Sequence, residues 1–151
     1  MVIDNLEFHF RHPVSVRFRD VDVGGHAHHS EALIYMEEAR AAYWEHVTGL
    51  AGLGAINYVL AEVTVRYHQR VLWPETLDVG VRTVRLGRKH FEMAYAVDSP
   101  VRGRLVSGRT VQVMYDYEAG GSVRMPDSLR ARIEALDGPF PGAGTAGEAR
   151  S

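Results

Sequence analysis

The sequence contains no cysteine. Disulfides, thiolate metal sites and a cysteine nucleophile are thereby excluded, and the lack agrees with a reducing compartment. Long apolar runs are missing as well. The longest uncharged run, Val47 to Ala61, is interrupted by Gly49, Gly52, Gly54 and Asn57. It falls short of the roughly 20 apolar residues that a membrane helix needs. The opening stretch MVIDNLEFHFRHP is charged from Asp4 onward, so it lacks the apolar centre of a signal peptide. A cytoplasmic protein without a membrane span is expected. Excess charge is small, −2 at pH 7, and no global basic field points to nucleic acid or an acidic membrane. Neither HExxH nor GxSxG occurs, which removes the signatures of a zinc protease helix and of a serine nucleophile elbow. What remains is 151 residues, 46% hydrophobic and 24% charged, the balance of a globular domain with one core.

Residues 14–19, VSVRFR, alternate apolar and polar as a half-buried strand does. The stretch SEALIYMEEARAAYWEHVTG has a helical period: Ala32, Tyr35, Met36, Ala39, Ala42, Tyr43 and Val47 recur at steps of three and four. Ser30 suits the N-cap, Glu31 the first turn, and Gly49 the stop. After Asn57 the period falls to two. Strands are expected over 59–68, 76–86, 90–97 and 104–116, with Ser107 and Gly108 marking a bulge. Their short connections suit antiparallel neighbours. PDSLRARIEAL, 126–136, reads as a short helix starting at Pro126 or Asp127.

From Gly138 the chain turns to GPFPGAGTAGEARS, aperiodic and rich in Gly, Pro and Ala. Disorder is expected there, leaving one domain over 1–137. The GxGxxG formed by Gly142, Gly144 and Gly147 lacks the strand and helix that a dinucleotide site requires. The expected class is α+β, one long helix wrapped by a five-stranded antiparallel sheet. One helix leaves the other sheet face and the edges uncovered, so a homodimer or homotetramer is expected.

Residues 17–40, RFRDVDVGGHAHHSEALIYMEEAR, concentrate polar chemistry before the long helix. Asp22, His26 and His29, with His28, offer zinc ligands. Gly24 and Gly25 break the helical spacing that would bring them together, so no metal is expected. A second arrangement uses Asp22 with the helix N-terminus. Unpaired amides and the positive dipole end polarise a carbonyl oxygen, while a carboxylate deprotonates water or attacks the carbon. No strong acid serves the leaving group, which suits a departing thiolate, whose reference pKa is about 8.5. An aspartate two residues before Gly-Gly reads equally as a turn former.

The same stretch resembles the segment that marks 4-hydroxybenzoyl-CoA thioesterase-like hotdog proteins: a strand, then E/D-x-D-x-x-G-x-x-x-[HNP], then a helix carrying E-x-A-R. Asp20, Asp22, Gly25, His29, Glu38, Ala39 and Arg40 match. The likeness continues through LAEVTVRYHQRVLWPETLDV and TVRLGRKHFEMAYAV, covering about residues 10 to 136. It implies a hotdog fold and an acyl-CoA thioesterase. By resemblance, Asp22 is the general base or nucleophile, and Gly25 with the helix N-terminus polarises the thioester carbonyl. His29 supports water or substrate. His26 matches a histidine of the GHVNN form, which reads GHAHH here. Arg88 and Lys89 fall where relatives place basic residues against CoA phosphates. Glu62, the one charge on an uncharged stretch, is a further substrate-side candidate, with an ion pair to Arg66 as its structural alternative. Glu37, Glu38 and Arg40 read as surface or interface charges. No metal or redox cofactor is implied; coenzyme A enters as part of the substrate, and an acyl carrier protein is the other thioester source. The competing readings are a non-catalytic module binding acyl-CoA or acyl carrier protein, and an enoyl-CoA hydratase or dehydratase of the same fold.

Overall fold

The structure, a computed structural model, describes residues 5–140. Residues 141–151, including the GxGxxG sequence and most of the expected tail, lie outside the described residues. Strand β1 (Phe10–Ser15) leads through a 3-10 turn (Phe18–Asp20) to helix α1 (Glu31–Thr48). A second 3-10 turn (Leu53–Ala55) precedes β2 (Tyr58–Tyr67), β3 (Thr76–Leu86), β4 (His90–Ser99), β5 (Gly103–Asp116), β6 (Gly121–Ser122) and α2 (Asp127–Asp137). The strand order is β1-β3-β4-β5-β2, with β6 paired to β5. The class is α+β, an antiparallel sheet with one long helix, as in hotdog proteins. No helix among the described residues is long and apolar enough to cross a membrane.

Three local expectations are corrected. Strand β1 starts at Phe10 and ends at Ser15, not 14–19. Proline normally argues against a strand interior, because it cannot donate to the ladder. β1 stands at the end of the strand order, where Pro13 can sit opposite Asp78 with its donor-free side outward. The sheet has six strands rather than five, the sixth being the two-residue β6. The irregularity expected at Ser107–Gly108 lies across from them: His68 and Gln69 both donate their backbone N–H to Leu105 O, at 2.8 and 3.1 Å. Two donors on one acceptor mark an extra residue just past the end of β2.

The chain forms two compact units. The first comprises the chain up to Tyr43, Val65–Val81 and Tyr95–Gly108. Here β1 pairs with β3 from Phe10↔Val81 to Ser15↔Thr76. Val14, Tyr35, Met36, Tyr43, Val79 and Val97 bury their side chains together in its core. Phe10 meets Tyr43 edge to face at 5.6 Å. Arg40, expected as a surface or interface charge, is only 5% exposed within the chain itself and donates to the Tyr95 hydroxyl at 3.1 Å. The second unit comprises Trp44–Thr64, Arg82–Ala94 and the chain from Arg109. Its core stacks Trp44 on Phe91 at 5.2 Å, with Tyr58 edge-on to both. Trp44 Nε1 donates to Asn57 Oδ1 at 3.0 Å, so its one polar atom is satisfied. α2 buries Leu129 and Ile133, and its Asp137 accepts the Thr83 N–H at 2.9 Å. Phe140 is buried.

Candidate active site

The loop before α1 is a tight turn held from several sides. Asp22 N–H donates to His26 O and Gly25 N–H to Asp22 O, both at 3.0 Å. Ala27 N–H reaches Val71 O and His28 N–H reaches Asp20 O. Buried Asp20 anchors the entry: its Oδ2 accepts the Arg17 N–H at 2.9 Å and the Tyr35 hydroxyl at 2.8 Å. Burial, and the adjoining Asp20 carboxylate, push the Tyr35 hydroxyl far above its ordinary pKa, so it stays a donor. The two turn glycines serve different needs. Gly25 has φ +79° with open space around it, whereas a Cβ on Gly24 would stand 2.8 Å from His26 Cε1.

This turn presents Asp22 to a pocket of about 390 Å³, which His26, His28, His29, Ala32 and Tyr35 also line. Asp22 Oδ1 accepts the Gly24 N–H at 2.9 Å, which leaves Oδ2 as its less engaged oxygen. Oδ2 lies 4.0 Å from His26 Nε2. The Gly25 amide is committed to the turn, and Gly25 is not among the pocket's lining residues. The donors are elsewhere: among the described residues no acceptor meets the backbone N–H of His29 or of Ala32, and both residues line the pocket. Ala32 lies in the first turn of α1 and His29 two residues before it, at the end where the dipole favours negative charge. Ser30, expected to cap the helix, contacts the His28 ring: Oγ lies 2.8 Å from Nδ1, and the Ser30 N–H donates to the same nitrogen at 3.2 Å. With Nδ1 accepting, His28 carries its ring proton on Nε2.

Residues distant in sequence complete the pocket. Tyr67 donates its hydroxyl to the His29 carbonyl at 2.5 Å, pinning the backbone that carries the free amide. Burial raises the pKa of this hydroxyl, so it too remains protonated. His68 lines the same pocket and holds its Nε2 2.9 Å from Oγ of buried Ser107. Sequence reasoning passed over Tyr67 and His68; the only signal was two polar-tipped residues ending a strand. Glu62, Arg88 and Lys89 are not among the pocket's lining residues. All three are exposed in the second unit, with no ion pair or side-chain hydrogen bond among the described residues, so Glu62 has no pair with Arg66. Among the described residues, no group of three or more His, Asp or Glu is disposed to hold a metal ion.

Residues 16–133 match the family model of the thioesterase-like superfamily. The chain is 28% identical over 126 residues to the uncharacterized protein YsmA of Bacillus subtilis (strain 168), spanning 83% of this chain and 86% of that one. A crystallised thioesterase from Thermus thermophilus, complexed with coenzyme A and zinc, is 35% identical. It superposes with a TM-score of 0.78 over 87% of this chain and 97% of its own. A thioesterase-superfamily protein from Jannaschia sp. CCS1 shares the fold at 23% identity, with a TM-score of 0.78 over 86% of this chain and 94% of its own.

Proposed function

The chain belongs to the thioesterase-like superfamily, and on that premise we propose that it hydrolyses the thioester of an acyl-CoA at the pocket beside Asp22. One observation carries the reading: Asp22 lines the same cavity as His29 and Ala32, two residues at the entry to α1 whose backbone N–H groups meet no acceptor among the described residues. Asp22 Oδ2 takes a proton from water, whose oxygen bonds to the thioester carbon. The carbonyl oxygen becomes an oxyanion and accepts the His29 and Ala32 N–H groups. Collapse breaks the carbon–sulfur bond and releases the CoA thiolate with its electron pair, leaving a carboxylic acid. The same geometry serves direct attack by Asp22, giving an acyl-aspartate anhydride that water then opens. Glu62 takes no step in either route.

Exposed and without carboxylate partners, Arg88 and Lys89 suit CoA phosphates. β2 ends the strand order and exposes Leu60 and Val63. An unpaired edge of this length favours a homodimer or homotetramer in which a second copy covers it. Four histidines at the pocket support a second reading, addition of water to an enoyl thioester, which releases no thiol.

Asp22→Asn is the test. Thiol release from a panel of acyl-CoAs should fall at least about a hundredfold with the far-ultraviolet dichroism unchanged. Near-normal turnover in that variant removes Asp22 from the reaction, and hydration without thiol release selects the second reading.

A further inference from the structure

The cavity beside Asp22 carries charge of both signs. Asp22 is its one acid, and Arg70 is its one arginine or lysine among the described residues. Arg70 is exposed and meets no carboxylate or hydrogen-bond acceptor among the described residues. Other arginines of the first unit differ: Arg11, Arg17, Arg102 and Arg104 each meet an acid within 3.3 Å. The segment that bears Arg70 is nonetheless held on both sides. Before it, His68 and Gln69 donate their backbone N–H groups to Leu105 O, and Gln69 Nε2 donates to the carbonyls of Arg102 and Arg104, both at 3.0 Å. After it, Val71 O accepts the Ala27 N–H at 2.8 Å, and His26 stands opposite Leu72 in an antiparallel bridge. Continuing that register sets Arg70 opposite His28.

His28 brings a second donor. Its Nδ1 accepts the Ser30 N–H at 3.2 Å, so the ring proton is on Nε2, and among the described residues this N–H meets no acceptor. The other polar tips on this wall are engaged: His68 Nε2 with Ser107 Oγ at 2.9 Å, and the Tyr67 hydroxyl with the His29 carbonyl. An uncompensated guanidinium beside an imidazole N–H is a receptor for a carboxylate. Ala27, Ala32 and Val71, all buried, supply apolar wall to the same cavity. Its volume of about 390 Å³ stands near the lower end for small-molecule sites, which suits a short chain. We propose that the acyl group taken here ends in a carboxylate, held by Arg70 and His28 Nε2–H while the thioester carbon meets water at Asp22. The substrate class is then a thioester of a short dicarboxylic acid, and the product is the free dicarboxylate. This assignment rests on the hydrolytic reading above and adds the specificity of that same pocket.

Glutaryl-CoA and pentanoyl-CoA form the test pair, because a carboxylate replaces a methyl group and the CoA part is common to both. At low ionic strength kcat/KM should favour glutaryl-CoA by at least about tenfold, the effect of one charge-assisted contact, and added salt should narrow the gap. Arg70→Gln, at an exposed position without contacts, should lower kcat/KM for glutaryl-CoA about tenfold and leave that for pentanoyl-CoA within about twofold. Arg70→Glu should reverse the preference. Binding is read separately, by calorimetry with the unreactive thioethers S-(4-carboxybutyl)-CoA and S-pentyl-CoA. The first should bind about tenfold more tightly, and Arg70→Gln should abolish the difference. Equal or better turnover of pentanoyl-CoA overturns the assignment, and so do thioethers that bind alike. An Arg70→Gln variant that weakens both substrates equally overturns it too, since Arg70 would then hold the part they share. The two readings fail separately. Preferred binding of the carboxybutyl thioether without thiol release from any acyl-CoA removes the hydrolase and keeps the carboxylate site. Thiol release at equal rates from both test substrates removes the site and keeps the hydrolase.

Discussion

Alanine at Gly24 and alanine at Gly25 add the same methyl group to neighbouring residues, with opposite consequences. At Gly24 the new Cβ would stand 2.8 Å from His26 Cε1, 3.1 Å from His26 Nδ1 and 3.3 Å from Asp22 Oδ1. The ring must yield by several tenths of an ångström, and the carboxylate with it. The backbone does not object, since Gly24 is not in the left-handed region. Alanine also removes freedom from the unfolded chain, which favours the fold by about 0.4–1 kcal/mol. His26 and Asp22 are 34% and 41% exposed, so they can move toward solvent and stability should stay within about 0.5 kcal/mol. Chemistry is less tolerant: about 1 Å of misplacement costs about a hundredfold, so a shift of half that size predicts a loss of about tenfold in kcat. At Gly25, φ is +79° and nothing lies within 4 Å. Left-handed alanine costs about 1–2 kcal/mol, of which the unfolded-state effect returns about 0.4–1. Gly25→Ala should thus lose about 1 kcal/mol in urea unfolding while keeping turnover within about threefold. Thiol release and urea unfolding on both variants decide it. Full turnover in Gly24→Ala beside an inactive, equally stable Gly25→Ala refutes the steric argument.

Tyr67→Phe deletes the donor that pins the His29 carbonyl; it should cost about 1 kcal/mol and lower kcat with little change in KM, and an unchanged kcat would mean that the His29 amide needs no such support. Tyr35→Phe leaves buried Asp20 with one donor fewer, a loss of about 1.5–3 kcal/mol in denaturant unfolding; a smaller change would mean that water replaces the hydroxyl. Glu75 tests the acid side. Burial raises its pKa, but hydrogen bonds from Arg102 and Ser99 and the Arg102 charge outweigh this and lower it. Because the folded value is the lower one, its contribution is complete above the unfolded glutamate pKa of about 4.3 and is lost as pH falls through the folded value. Glu75→Gln should therefore be less stable at neutral pH, and its unfolding curves should converge with the parent's in acid. Parallel curves from pH 7 to pH 3 would contradict the assignment.

Legibility followed range. The α1 stripe was readable because Tyr35, Met36, Ala39 and Tyr43 recur within a few turns, and all four are buried. β1 was misplaced because Pro13 looks like a breaker unless the strand is known to be an edge. Arg40 read as a surface or interface charge because nothing nearby in the chain foretells the Tyr95 hydroxyl 55 residues on. The period of two over 90–97 predicts a strand and does not foretell that both its faces are covered, yet Ala94 and Ala96 are buried along with Phe91, Met93, Tyr95 and Val97, as a central position in the sheet requires. At the site, Asp22, His26 and His29 were legible as one cluster. Tyr67, 38 residues from the carbonyl it holds, was not.

The order of residues by itself settled what neighbours within one turn can settle: the helix period, the need for glycine at the bend, the acid placed before α1, and the family pattern spread over most of the chain. Folding decided which amides stay free, which histidines share the cavity with Asp22, and which aromatic rings remain in water. Backbone periodicity is a local property and repeats along the chain. A pocket exists only once strands have paired in register, because burial and unused donors are defined by groups that sequence distance does not bring together.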